Sequence, residues 1–197
     1  VTTPRQRFLV SLVLVVLVSV GGGWFLSTSD DDSSEEVGVV TLTPGASTKE
    51  PGIGTNVPAT GKIFPAISTD NVNGDSFNFA DLAGKPFVVN FWYSTCEPCK
   101  REFPALVAAH TKHGNEVEFV GINPQDTAER AQEFALQYKA TYPMVRDPDG
   151  KLLSALGVGT FPMTMFVDAG GVVVHQHAGE ISAEELTDAL AKYLSVT

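Results

Sequence analysis

The chain has 197 residues, 43% of them hydrophobic and 18% charged, and its 13 Lys and Arg against 23 Asp and Glu give a net charge of -10. This length suits one domain of ordinary size, and the acidic balance argues against a nucleic-acid partner, since phosphate binding needs a basic face. With only two cysteines there can be no disulfide framework, so the apolar core must hold the fold.

At the N-terminal end Arg5 and Arg7 precede an uncharged run from Phe8 to Leu26, and Asp30, Asp31 and Asp32 follow. A basic flank before such a run directs the chain to a membrane with the basic end inside. At 1.5 Å per residue the run would cover about 28 Å, close to the hydrocarbon thickness of a bilayer. Residues 1–26 are therefore expected to be a membrane anchor, with Trp24 at the outer interface, or a signal segment. The core from Phe8 to Val20 has signal-like length, and Ser19 and Gly21 to Gly23 are small. Either reading puts the remainder outside the cytoplasmic membrane, tethered by a single pass or secreted if the segment is cleaved. Residues 27–58 hold six acids and one base among Ser, Thr, Gly and Pro, the composition of a flexible linker.

Residues 59–197 have the mixture expected of a folded domain. Pro86 to Trp92 is a continuous apolar run of strand length, as in a central strand covered on both faces. Glu97 to His113 has helical spacing, with a kink expected at Pro104, and Val117 to Ile122 is a second apolar strand. Together they make a βαβ unit. Asp126 with Glu129 has the form of a helix start. Asp147 to Gly150 reads as a turn, and the short helix after it closes at Gly157. Met163 to Val167 and Val172 to His177 read as a hairpin, and Ser182 with Glu185 forms a capping box for the last helix. The order predicts an α/β fold, a mixed central sheet with helices on both faces.

Cys96 and Cys99, in the segment FWYSTCEPCKREFP, fall just past the central strand at the start of a helix. Residues at i and i+3 are neighbours there, so their sulfurs can bond. Unpaired N–H groups at the helix end favour a thiolate at Cys96, leaving Cys99 to resolve a mixed disulfide. Other chemistries fit less well. A structural zinc site wants four ligands. His110 and His113 read as solvated residues at a helix end, and His175 and His177 as residues on an exposed strand edge. Haem attachment needs CxxCH, but Lys100 occupies the last position. A peroxidatic P-x-x-x-T-x-x-C pattern would need Pro and Thr where Val89 and Tyr93 stand.

With Asn90-Phe91-Trp92, the CEPCKREFP segment and the later FPMTMFVD, the chain from about Lys62 to Leu194 resembles the membrane-anchored TlpA/ResA-like thiol–disulfide oxidoreductases of the thioredoxin superfamily. The resemblance implies a thioredoxin-like three-layer fold and no cofactor beyond a redox-active Cys96–Cys99 disulfide. It also implies a cis Phe161–Pro162 peptide facing the cysteines, Glu102 as an active-site acid, and substrate contacts at Trp92, Phe161 and Pro162. Implied partners are exported proteins with thiols or disulfides, apocytochrome c among them, and a membrane electron donor. Asn90 stands where thioredoxin has a buried acid, which turns attention to Glu102. Acids at Glu97 and Glu102 should disfavour the thiolate and lower the potential, whereas Lys100 should act oppositely. The expected activity is reduction of disulfides, with disulfide formation as the rival enzyme activity and copper or zinc delivery as a rival of another class.

Overall fold

A computed structural model describes residues 55–196, so the predicted membrane segment 1–26 and most of the linker 27–58 lie outside the described residues. Among those described, no helix is long and apolar enough to cross a membrane.

Two short strands, β1 (Ser68–Asp70) and β2 (Ser76–Asn78), form an antiparallel hairpin followed by a 3-10 turn over Phe79–Leu82. Then come β3 (Phe87–Phe91), α1 (Glu97–His113), β4 (Glu118–Asn123), α2 (Ala128–Gln137), β5 (Met144–Arg146), α3 (Lys151–Leu156), β6 (Met163–Val167), β7 (Val173–Ala178) and α4 (Ala183–Leu194). The sequence pattern does not disclose the first hairpin, because three-residue strands of mixed polarity carry too little periodicity to register. The main sheet has the order β5-β4-β3-β6-β7, with β3, β4 and β5 parallel and β6 and β7 antiparallel. It is the mixed sheet expected.

Every residue of β3 is buried, as its unbroken apolar run requires of a strand covered on both faces. Phe87, Val89 and Phe91 point into one core with Leu152, Leu156, Met163, Met165 and the 3-10 turn. Val88 and Trp92 point into the other, with Phe103 and Leu106 of α1, Phe134 of α2, and Leu186 and Leu190 of α4. Burying each large side chain stabilises the fold by about 1.5–3 kcal/mol, so the helices are held by these two stripes. Ser182 caps α4 through a complete capping box with Glu185.

The structure departs from the sequence expectations at the cap of α2 and at the two histidines ending α1. The cap of α2 is Thr127, whose hydroxyl accepts from Arg130 N–H at 3.3 Å, and not Asp126. His113 is buried rather than solvated, and His110 is half-buried against Phe119 and Tyr142, where burial holds its ring below the ordinary histidine range. Just ahead of residue 59, Asn56 and Val57 are bonded to the loop around Gly157–Thr160.

Candidate active site

Phe91 and Met163 are paired across β3 and β6. Because these strands are antiparallel, the chain leaving β3 and the chain entering β6 meet at one sheet end. The first carries Tyr93 to Cys96 and the second carries Thr160 to Pro162. The Phe161–Pro162 peptide is cis, as implied by the resemblance, and the Tyr93 and Phe161 rings meet edge to face at 5.4 Å.

Cys96 is the N-cap of α1 with an extended backbone, and Cys99 lies one turn inside. The two sulfurs are bonded, with Cα atoms 5.2 Å apart, inside the usual range for a disulfide. Cys99 N–H donates to Cys96 Sγ at 3.2 Å. This is the amide that would steady a thiolate at Cys96 once the bond opens. Cys96 keeps 4% exposure and Cys99 none, so an incoming sulfur can reach only the first.

Helical spacing places Glu102 on the face of Cys99. It is 1% exposed, accepts from Asn90 Nδ2 at 2.8 Å on one oxygen, and accepts from Ile181 N–H at 2.9 Å on the other. Burial pushes its carboxyl up to about 7, against the pull of those two donors, and Glu180 nearby adds to the rise. Asn90 also donates to Thr164 Oγ1 at 3.0 Å, while its own oxygen has no partner. Rotating the Asn90 amide by half a turn would present that oxygen to Glu102. The site therefore has an acceptor ready for a protonated Glu102 and a donor ready for its carboxylate.

Glu97 and Lys100 are paired at 2.6 Å, and this contact holds the Glu97 carboxyl below the usual carboxylate range. Their charges offset one another, so the opposing effects expected of them on the thiolate largely cancel.

Trp92, an expected substrate contact, lies in the core. It is fully buried, stacked on Phe134 at 4.6 Å and edge-on to Phe103 at 5.0 Å. Gly121 makes room for it, since a Cβ there would lie 2.8 Å from Trp92 Nε1 and 2.4 Å from Met144 Sδ. Trp92 thus supports the helix that carries the cysteines. Phe161 is half-buried and Pro162 buried beside the exposed Thr160.

The sequence does not disclose a hydrogen-bond network around Ser94, two residues before Cys96. Asp126 accepts from Ser94 N–H at 2.6 Å, from Ser94 Oγ at 2.8 Å and from Asn123 Nδ2 at 2.7 Å, while Arg130 Nε donates to Ser94 Oγ at 3.0 Å. An open cleft of about 280 Å³ beside this loop is lined by Ser94, Lys100, Arg130, Phe134 and Tyr138 among others. Among the described residues no three His, Cys, Asp or Glu side chains converge as metal ligands. His175 stacks on Tyr193 at 4.3 Å, and His177 contacts the Glu180 carbonyl.

Residues 60–176 match the AhpC/TSA family. The thiol–disulfide oxidoreductase ResA of Bacillus subtilis (strain 168) is 32% identical over 63% of this chain and 70% of its own length. The thiol:disulfide interchange protein DsbE of Pseudomonas fluorescens biotype C is 38% identical over 66% of this chain and 72% of its own. Among solved structures, a secreted Mycobacterium tuberculosis disulfide oxidoreductase homologous to DsbE superposes with a TM-score of 0.58 at 29% identity, covering 64% of this chain and 95% of that one.

Proposed function

The chain belongs to the AhpC/TSA family and, with its ResA and DsbE relatives, is a thiol–disulfide oxidoreductase; on that premise we propose that Cys96 and Cys99 are its working pair and reduce disulfides in exported proteins. The observation that carries this reading is the Cys96 sulfur at a helix N-cap, bonded to a buried Cys99 and accepting from its amide.

In the proposed cycle the reduced pair begins with Cys96 as thiolate. It attacks one sulfur of a substrate disulfide, forming a Cys96–substrate bond and expelling the other substrate sulfur as a thiolate, which takes a proton from water. Cys99 then loses its proton to Glu102 and attacks Cys96 Sγ, expelling the second substrate sulfur as a thiolate that takes a proton from water and leaving the Cys96–Cys99 disulfide. Two electrons pass to the substrate, and a dithiol donor at the membrane restores the pair. Phe161 and Pro162 would present backbone to an extended substrate segment.

A buried acid beside the pair disfavours thiolate in the reduced form, which lowers the potential and supports the reducing direction. Work outside the cytoplasmic membrane is supported by the basic-then-apolar N-terminal sequence and by the secreted relative. Apocytochrome c before haem attachment is the substrate proposed. Cys99→Ser tests the reading, because it should leave substrates linked to Cys96 in a complex that dithiothreitol dissolves. Recovery of the same complexes from Cys96→Ser in place of Cys99→Ser would reverse the assigned roles, and recovery from neither would remove them.

A further inference from the structure

Asn56 lies in sequence that composition assigns to a linker, yet it is bonded to the loop that carries the cis peptide. Its Oδ1 accepts from Gly159 N–H at 2.7 Å and from Thr160 N–H at 2.9 Å, and its Nδ2 donates to Thr160 Oγ1 at 2.7 Å. The backbone beside it is fastened too. Val57 N–H donates to the Gly157 carbonyl at 2.8 Å, so closely that a Cβ on Gly157 would lie 2.6 Å from Val57 Cβ. From the opposite side Gln176 of β7 accepts from Ala59 N–H at 2.6 Å. Residues 56–59 thus lace the loop between α3 and β6 to the edge strand.

We propose that Asn56 is a positioning residue for the polypeptide substrate, holding the Gly159–Thr160 peptide so that the adjoining Phe161 backbone is presented ready to pair with an extended chain. The inference rests on the dithiol reading above. Two adjacent amides converge on one side-chain oxygen, which fixes the Val158–Gly159 and Gly159–Thr160 peptide planes just ahead of the Thr160–Phe161 peptide that leads into the cis bond. Among the described residues no side chain or backbone group is bonded to the Phe161 N–H or C=O, so that edge stays available. The Asn56 bonds are at exposed positions, where water competes and each adds little to folding stability. Their effect is to order the loop before the substrate arrives, which removes an entropic cost from binding.

The test compares Asn56→Ala with the unaltered chain on two probes, a synthetic peptide closed by an internal disulfide and 5,5′-dithiobis(2-nitrobenzoate), which has no backbone to pair. For the peptide, KM should rise about five- to tenfold with kcat little changed, and the small disulfide should react as before. Asn56→Asp keeps the acceptor for both amides and should recover most of the peptide KM. An unchanged peptide KM, or parallel slowing on both probes, would overturn the proposal. An unaltered chain inert to both probes would overturn the dithiol reading, and this inference with it.

Discussion

Glu102 is the residue on which protonation and redox chemistry meet. Its carboxyl titrates near 7 in the folded chain against 4.5 as its ordinary value. Between those values the folded state keeps a proton that the unfolded state has lost. Stability conferred by this group is therefore complete below pH 4.5 and declines as pH rises through about 7, by about 3 kcal/mol in all. Glu102→Gln should flatten that decline, so the gap in urea stability between pH 5 and pH 8 should shrink. An unchanged gap would show that Glu102 ionises normally. Resolution of a mixed disulfide by Cys99 should accelerate through pH 7 in the unaltered chain, and the Gln variant should lose that inflection in stopped-flow fluorescence. The two cysteines were legible because no others exist and because their spacing fits one helical turn. The environment of Glu102 was not, since one of its donors, Ile181, is 79 residues away in sequence.

Elements were read well where local signals coincide with tertiary needs, and less well where they conflict. The Ser182–Glu185 box and the glycine ending α3 both sit where the pattern put them. Asp126 is the opposite case, because its carboxylate turns back to Ser94 and Asn123 and leaves the cap of α2 to Thr127. A carboxylate beside Glu129 looks like a cap when the partner strand is unknown. Thr127→Ala should cost about 1 kcal/mol in denaturant unfolding, the ordinary loss of an N-cap. Asp126→Ala should cost more, about 2 kcal/mol, because it strips partners from the buried Ser94. Hydrogen exchange at the Ser94 amide should also speed up. A silent Thr127 substitution would return the cap to Asp126.

For the molecule as a whole, apolar runs of strand length alternating with helical spacing made the three-layer arrangement readable. The order β5-β4-β3-β6-β7 then brings two distant loops to one sheet end, one leading into the Cys96–Cys99 disulfide and the other carrying the cis peptide, in contact through Tyr93 and Phe161. The bonds that hold Asn56 and Ala59 were not legible, because their partners lie more than a hundred residues later. Reversible exchange at Cys96 and Cys99 is the property everything else requires, and redox equilibration against dithiothreitol measures it most directly. A single two-electron couple is expected well below the potential of about −120 mV typical of a strong oxidant such as DsbA, abolished by Cys96→Ala and by Cys99→Ala. A pair that fails to open and close reversibly would contradict it, and one poised near −120 mV would reverse the proposed direction.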